Sequence, residues 1–447
     1  MKKIAITEIN ITYVLVLLFI ISITTPLMAQ ETKTANKEEE LKLTIQIRPR
    51  IEVRNGVFTP ILTTQTPAAF VSQRNRIGIN YTKGPKLSAG INVQILNVWG
   101  NEPQIQQTAN NFSLFEAWAQ IYLGPSIQLK AGRQVFSYDD ERILGALDWN
   151  NAGRKHDAVL LRYEKGRLKT DIAAAYNQNT ENVTGSFFND SLSQPYKAMQ
   201  FAWLKYTISD SLSFSALFMN LSKQRNTDSM LSYLQTIGAN AFYKKNKISA
   251  TASFYYQTGR ADFKNAASQK TSAWMAALYG NYITSKKVTV GMGSDYLSGM
   301  PMGSNSLKIT VFNPLFGTHH KFYGYMDYFY VSSKHKNVGL WDSYLNFNFN
   351  PTKQFAWQIA LHHFESTGKI IDYNQVKVKN TLGNEVDLTF SYNIMNDVKL
   401  TGGYSQMFTN PSMKYVKDIS ANQNMKQVQN WVWISFNITP KIILQSK

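Results

Sequence analysis

The run Leu41-Lys42-Leu43-Thr44-Ile45-Gln46-Ile47-Arg48-Pro49-Arg50-Ile51-Glu52-Val53-Arg54 puts an apolar residue or proline at every odd position and a polar or charged one at every even position. A period of two is the side-chain period of a β-strand, so this segment reads as a strand with one greasy face and one wet face. Pro49 carries no N–H and removes one ladder hydrogen bond, which predicts a bulge or a rim position there.

Comparable alternation recurs over 71–82, 87–99, 112–123, 126–135, 157–165, 167–177, 197–208, 211–221 and 232–244. It continues over 247–257, 271–283, 287–297, 337–349, 354–364, 381–394, 397–408 and 427–438, about eighteen strands with the first. Every second connection is a few turn-forming residues, such as Lys83-Gly84-Pro85-Lys86, Gly124-Pro125-Ser126, Lys165-Gly166 and Asn350-Pro351-Thr352-Lys353. The connections between them are long, among them 55–70, 100–111, 136–157, 178–196, 298–336, 365–380 and 409–426.

Short periplasmic turns alternating with long outer loops are the asymmetry of an outer-membrane barrel, and a soluble β-sandwich has no reason to show it. An even strand count brings the last strand back beside the first and leaves no open edge. The expected fold is therefore all-β, a closed transmembrane antiparallel β-barrel over 41–447. The last strand, Trp431 to Ile438, is followed by Pro440 and further chain instead of a terminal aromatic, so its register is the least determined.

The N-terminus supports export. Met1-Lys2-Lys3 is a basic start, Ile11 to Ile23 an apolar core, and Leu27-Met28-Ala29 a cleavage-like end, so residues 1–29 read as a signal peptide. The apolar run is shorter than the roughly 20 residues of a membrane-spanning helix. Residues 30–40 read as a short charged periplasmic leader, too little chain for a plug domain. The mean hydropathy of −0.28 fits a barrel, whose lumen-facing residues offset its lipid-facing ones.

With no cysteine, the exported chain has no disulfides and relies on its hydrogen-bond ladder. Tyr 24, Phe 25 and Trp 9 suit aromatic girdles. The net charge is +18, or +17 without the signal peptide (45 basic against 28 acidic residues), and favours anionic partners. In an exported barrel those partners are lipopolysaccharide phosphates and acidic polymers, not nucleic acid. Localisation in a Gram-negative outer membrane also implies contact with its lipid and with the barrel assembly machinery.

Arg133-Gln134, Asp140-Glu141-Arg142, the run Leu147-Asp148-Trp149-Asn150-Asn151-Ala152-Gly153-Arg154 and then Asp157 resemble the alginate export family of outer-membrane barrels. The block from Phe316 to Phe329 and the segments Leu382 to Leu388 and Gly403-Tyr404-Ser405 extend the resemblance from about residue 45 to the chain end. It implies an eighteen-stranded barrel, constricted by loops and lined by basic residues, that passes an anionic polysaccharide outward; whether periplasmic export partners deliver the polymer is left open by the sequence. A channel is implied more directly than alginate as its cargo.

An acidic polymer crossing a pore needs many weak, exchangeable contacts, and arginine supplies a permanent charge with a planar fork. Arg48, Arg50 and Arg54 share the polar face of the first strand, and Arg74 and Arg76 share one face of the second, so a basic ladder facing the lumen is expected. The blander reading is that a wet lumen tolerates any polar residue and that rim arginines bind lipopolysaccharide. Arg133 belongs to the same candidate path only if a bulge or an early strand end turns it inward, because alternation from Ile127, Leu129 and Ala131 puts it on the greasy face.

The loop from Phe136 to His156 carries Asp139, Asp140, Glu141, Arg142, Asp148, Arg154 and Lys155. That mixture suits either a loop pinned inside the pore by ion pairs or an ordinary solvated outer loop. The family resemblance favours constriction, with Arg142 and Arg154 facing the cargo and Asp148 pairing with them or orienting them.

No catalytic residue, metal ligand or cofactor is expected. His362 and His363 are adjacent on a strand and face opposite ways, His319-His320 lacks metal-ligand spacing, and no serine stands in a nucleophile motif. The expected function is a channel for an anionic polysaccharide or another anionic solute. The alternatives are a general anion-favouring porin and a surface or adhesion barrel.

Overall fold

The computed structural model describes residues 39–105, 112–188, 195–224, 230–261, 269–329 and 335–445. The expected signal peptide and residues 30–38 of the leader lie outside them. Glu39 and Glu40, read as the end of the leader, instead open the first strand.

Strands β1 (Glu39–Asn55), β2 (Ala68–Lys83), β3 (Leu87–Val98), β4 (Phe112–Tyr122), β5 (Ile127–Gln134) and β6 (His156–Lys165) begin the sheet. Then come β7 (Leu168–Tyr176), β8 (Ala198–Ser209), β9 (Leu212–Gln224), β10 (Leu231–Lys245), β11 (Ile248–Ala261), β12 (Gln269–Ile283) and β13 (Val288–Leu297). After the two-residue β14 (Lys308–Ile309) follow β15 (Leu340–Phe349), β16 (Phe355–Glu365), β17 (Thr381–Met395), β18 (Val398–Thr409), β19 (Val428–Ile438) and β20 (Lys441–Gln445).

Each long strand pairs antiparallel with the next, and β19 pairs with β1, giving a closed barrel of eighteen strands. Closure satisfies every ladder without an edge, the condition for placing strands in hydrocarbon. The alternation seen in sequence becomes inside and outside. Ile77, Leu278 and Met292 point outward at 52%, 61% and 65% exposure, values that a soluble surface would not sustain as a continuous band.

Two expectations need correction. Pro49 forms neither a bulge nor a rim: it sits mid-strand in unbroken register opposite Gln73 of β2. Its missing donor falls on the β19 side, where pairing skips from Ile47 to Arg50 without a shift, and its carbonyl accepts from Ser435 Oγ at 3.1 Å. At the C-terminus, Pro440 interrupts the last strand without ending it. β20 resumes against Glu40–Thr44 of β1 in the register of β19, and the Ile45 N–H donates to the Pro440 carbonyl at 3.1 Å.

The strand expected from 337 begins at Leu340, because Lys336, Asn337 and Gly339 hold positive φ, incompatible with a pleat. β14 pairs in parallel with Lys270–Thr271 of β12, a contact made by the seventh outer loop (298–339) folding back onto the wall. Sequence alternation cannot show so short a strand whose partner lies in another element.

The lumen is not uniformly wet. Leu160, Met199, Phe201, Met219 and Leu221 of β6, β8 and β9 face inward and pack against Phe136, Ile143 and Leu144 of the third outer loop (135–155) and Phe316 of the seventh. The third loop therefore enters the barrel, apolar face to apolar wall. Removing residues 439–447 should unzip the five β1–β20 pairs and expose an edge at the barrel seam. The expected outcome is a lower temperature for loss of heat-modifiable migration on gels; an unchanged transition would show that β19 alone seals the barrel.

Candidate functional site in the barrel lumen

Arg48 and Arg74 stand directly opposite one another on the inward faces of β1 and β2, with Arg50 and Arg76 on the same faces. Like charges in that arrangement repel. What holds them is the third loop. Asp148 accepts from Arg74 Nη2 at 2.8 Å and from Arg48 Nη1 at 3.4 Å, with Arg76 Nη1 at 3.6 Å.

Backbone carbonyls finish the grip. Arg48 donates to the Asp148 carbonyl at 2.9 Å and Arg50 to the Trp149 carbonyl at 2.9 Å. Arg50 and Arg54 also clasp Glu52 from either side, at 2.8 Å and 2.9 Å. Five arginines thus meet two carboxylates in direct contact, Glu52 and Asp148.

Exposure divides these partners. The Arg74 and Arg48 side chains are 1% and 11% exposed, whereas the Asp148 side chain is 65% exposed. The guanidiniums form the wall, and the carboxylate is the part that meets the lumen. The surrounding protein pushes the Asp148 carboxyl up, but Arg74, Arg48 and Arg76 more than reverse this and leave it below its ordinary value. Asp148 is therefore charged throughout the neutral range.

Local sequence fits the loop to this wall. Gly153 has φ +65°, and a Cβ there would stand 2.8 Å from the Phe115 ring and 2.9 Å from Arg76. Arg76 lies over that ring at 3.5 Å. Trp149 inserts edge-on against Trp431 and Trp433 of β19, stacks on His320 at 4.3 Å and receives Arg50 at 4.3 Å from its centroid.

The other expected path residues are placed differently. Arg142 does not face an open passage: it is 4% exposed and held by Asp295 of β13 at 2.7 and 3.0 Å and by Asp140 at 2.7 Å. Arg154 donates to the Gly317 carbonyl at 2.9 Å and so ties the third loop to the seventh. Arg133 is not turned inward by a bulge. It follows the outward face of β5 and forms a two-point pair with Asp157 across the ladder, at 2.8 Å for each bond. Asp148 pairs with the wall arginines, not with Arg142 or Arg154.

Residues given no place in the expected path hold the opposite side. The two loops join through Gly145 to Phe316, Phe316 to Ile143 and Thr318 to Glu141 backbone bonds of 2.8–3.0 Å. The seventh loop then meets β17, where the Met326 N–H donates to Glu385 at 2.8 Å and the Tyr325 N–H to Asp387 at 3.3 Å. Gly324, at φ +80°, permits that approach, since a Cβ would fall 2.7 Å from the Glu385 carboxylate. Asp342 of β15 and His362 of β16 pair at 2.9 Å inside the barrel, while His363 faces outward beside Asn384. Parity along each strand marks Glu52, Asp295, Asp342 and Asp387 as inward carboxylates, but nothing in the sequence says which cation each meets.

Burial pulls the imidazole of His319 down to about 3, and burial followed by the Lys417 charge pulls that of His335 down to about 4. Both lie below the ordinary value of about 6.5, so packing of the seventh loop is fully stabilised above about pH 6.5 and loses stability as pH falls toward 4. Single-channel conductance should be steady from about pH 8 to 6.5 and rise as the loop loosens toward about pH 4. A flat profile over that interval would mean that these histidines do not gate the packing.

The sequence matches the alginate export family over residues 101–410 of the 447-residue chain. No curated protein matches it. Among solved structures, Pseudomonas aeruginosa OccK9 (OpdG) superposes with a TM-score of 0.59 at 11% identity, over 90% of this chain and 98% of that one. Acinetobacter baumannii OccAB4 gives 0.56 at 11% identity, over 92% and 100% of the two chains. Pseudomonas aeruginosa OpdK with vanillate gives 0.58 at 10% identity, over 90% and 99%. At those identities the likeness is one of fold, that of outer-membrane porins. With its closed eighteen-stranded barrel and a family match over most of its length, the chain belongs to the alginate export family and is a channel of the Gram-negative outer membrane.

Proposed function

We propose that the channel passes an anionic polysaccharide, whose carboxylates exchange with Asp148 on the arginine sector. The observation that carries this reading is the exposed Asp148 carboxylate, 65% open to the lumen and backed by Arg48, Arg74 and Arg76. An internal carboxylate already seated on the arginines is a competitor of the same chemistry as a uronate. It prevents any one cargo group from binding tightly, which a conducting path requires. Arg50 and Arg54 are clasped by the buried Glu52 and brace the sector along β1.

A second reading is favoured by the scale of the free space. The two loops leave a lumen cavity of about 360 Å³, of small-solute size. The similar OpdK structure contains vanillate, a small aromatic carboxylate. In that reading the arginine sector serves small carboxylates and has no polymer cargo.

Planar-bilayer conductance under anion and cation gradients, with acidic and then neutral oligosaccharides of equal length, separates the two. The expected result is anion-selective current that acidic oligosaccharides block at lower concentration than neutral ones. Blockade by monomeric carboxylates alone would favour the small-solute reading, and unselective current would sink both. Arg74→Gln should raise the half-blocking concentration of the acidic oligosaccharide about tenfold, since a hydrogen bond to a charged group is worth about 1.5–3 kcal/mol. Asp148→Asn should lower it by severalfold, because it removes the competitor and leaves the arginines in place.

A further inference from the structure

The cavity lies away from the arginine sector, between the wall strands β11, β12, β13, β15 and β16 and the third and seventh loops. Its charged lining is already paired. Arg142 is held by Asp140 and Asp295, and His362 by Asp342. Lys321 Nζ donates to the Asp140 carbonyl at 3.0 Å. Lys321 keeps its charge and is exposed at the edge, and the other groups that face a solute are neutral: the rings of Tyr279 and Tyr344, the amides of Asn346 and Gln358, and the hydroxyl of Thr251.

The two tyrosines form a platform. Their ring centroids are 5.8 Å apart with planes 29° from parallel. They lie against the wall because β13 carries inward glycines beside them. A Cβ at Gly291 would stand 2.7 Å from the Tyr279 hydroxyl oxygen, and one at Gly293 would stand 2.4 Å from the Tyr344 ring. Glycine at both positions leaves room for the two rings against the wall, and both rings line the cavity, Tyr344 with the His362 ring 5.3 Å away on its other side from Tyr279.

Polar groups border the platform. Gln358 Nε2 donates to Asn346 Oδ1 at 3.2 Å, and this amide pair has donor and acceptor capacity to spare. Ser253 is 6% exposed, and its Oγ has no hydrogen-bond partner among the described residues.

We propose that this chamber is a subsite for one pyranose ring of a passing saccharide. The C–H face of the ring lies on the electron-rich faces of Tyr279 and Tyr344, and its hydroxyls bond Asn346 and Gln358. Thr251, Ser253, Tyr279 and Asn346 lie toward the short-turn ends of β11, β12 and β15, so the chamber sits in the half of the barrel nearer the short turns. The platform recognises the sugar ring and the arginine sector its charge. This inference rests on the reading that a saccharide is the cargo, and it adds a charge-independent contact to it.

Isothermal calorimetry of the purified full-length barrel with cellohexaose, a neutral chain of six pyranoses, tests the platform without requiring an open channel. The expected result is saturable binding to the wild-type protein. Tyr279→Ala with Tyr344→Ala should weaken it about tenfold, the scale of lost aromatic stacking. The double phenylalanine variant keeps both ring faces and should stay within about threefold, with heat-modifiable migration confirming that each variant is folded. No binding by the wild type, or binding indifferent to loss of both rings, would overturn the assignment. Ion selectivity of the wild type in sugar-free gradients reads the arginine sector by itself, so either idea can fail while the other stands.

Discussion

Inside a bilayer no water is present to satisfy a peptide group, and that constraint sets the rest of this structure. Every N–H and C=O in the wall needs a neighbour strand, so the first strand has to meet the last. Here the seam is made by β1 with β19 and then β20, and it tolerates two prolines because each removes a donor without shifting register. Eighteen strands, once closed, enclose more space than wall side chains can fill. The third and seventh loops occupy that space, and their arrangement turns a wide cylinder into a constricted one.

The loops are held by three kinds of surface, each on its own sector of the wall. On β6, β8 and β9 the contact is apolar, Leu160 and Phe201 against Phe136 and Phe316. On β1 and β2 it is electrostatic, and the repulsion between Arg48 and Arg74 makes a bridging carboxylate favourable. On β17 it runs from loop N–H groups to the wall carboxylates Glu385 and Asp387. The third loop therefore spans the lumen, with Asp148 at one wall and Arg142 on Asp295 at another.

This division shapes what a solute meets. Buried ion pairs such as Arg142 with Asp295 serve positioning, since both charges are consumed and breaking either leaves the other stranded. Asp148 is different because its side chain is 65% exposed while the arginines behind it are buried. Neutral aromatic and amide surface fills the remaining sector. A solute that combines carboxylates with hydroxyl-rich rings matches both kinds of surface.

Much of this was legible in the chain. Alternation in Leu41 to Arg54 gave the strand and its faces, because a pleat has a fixed period of two and only one face can meet lipid. The rhythm of short and long connections gave the count of strands and their direction. The same parity puts Arg48, Arg50, Arg54, Arg74 and Arg76 on the polar faces of the first two strands, where the structure has them meeting Glu52 and Asp148. The mixed charge of residues 136–156 allowed either a solvated loop or an inward one.

Tertiary structure decided the partners. Arg142 is inward, yet it is spent on Asp295, a residue 153 positions away, and Asp148 serves β1 and β2 instead of the arginines of its own loop. Arg133 stays outside because Asp157 lies opposite it across a ladder without a bulge. Sequence determines which face a residue takes, since that follows from local backbone geometry. It does not determine which charge that residue meets, because this depends on how wide the closed barrel is and on which loop reaches across it.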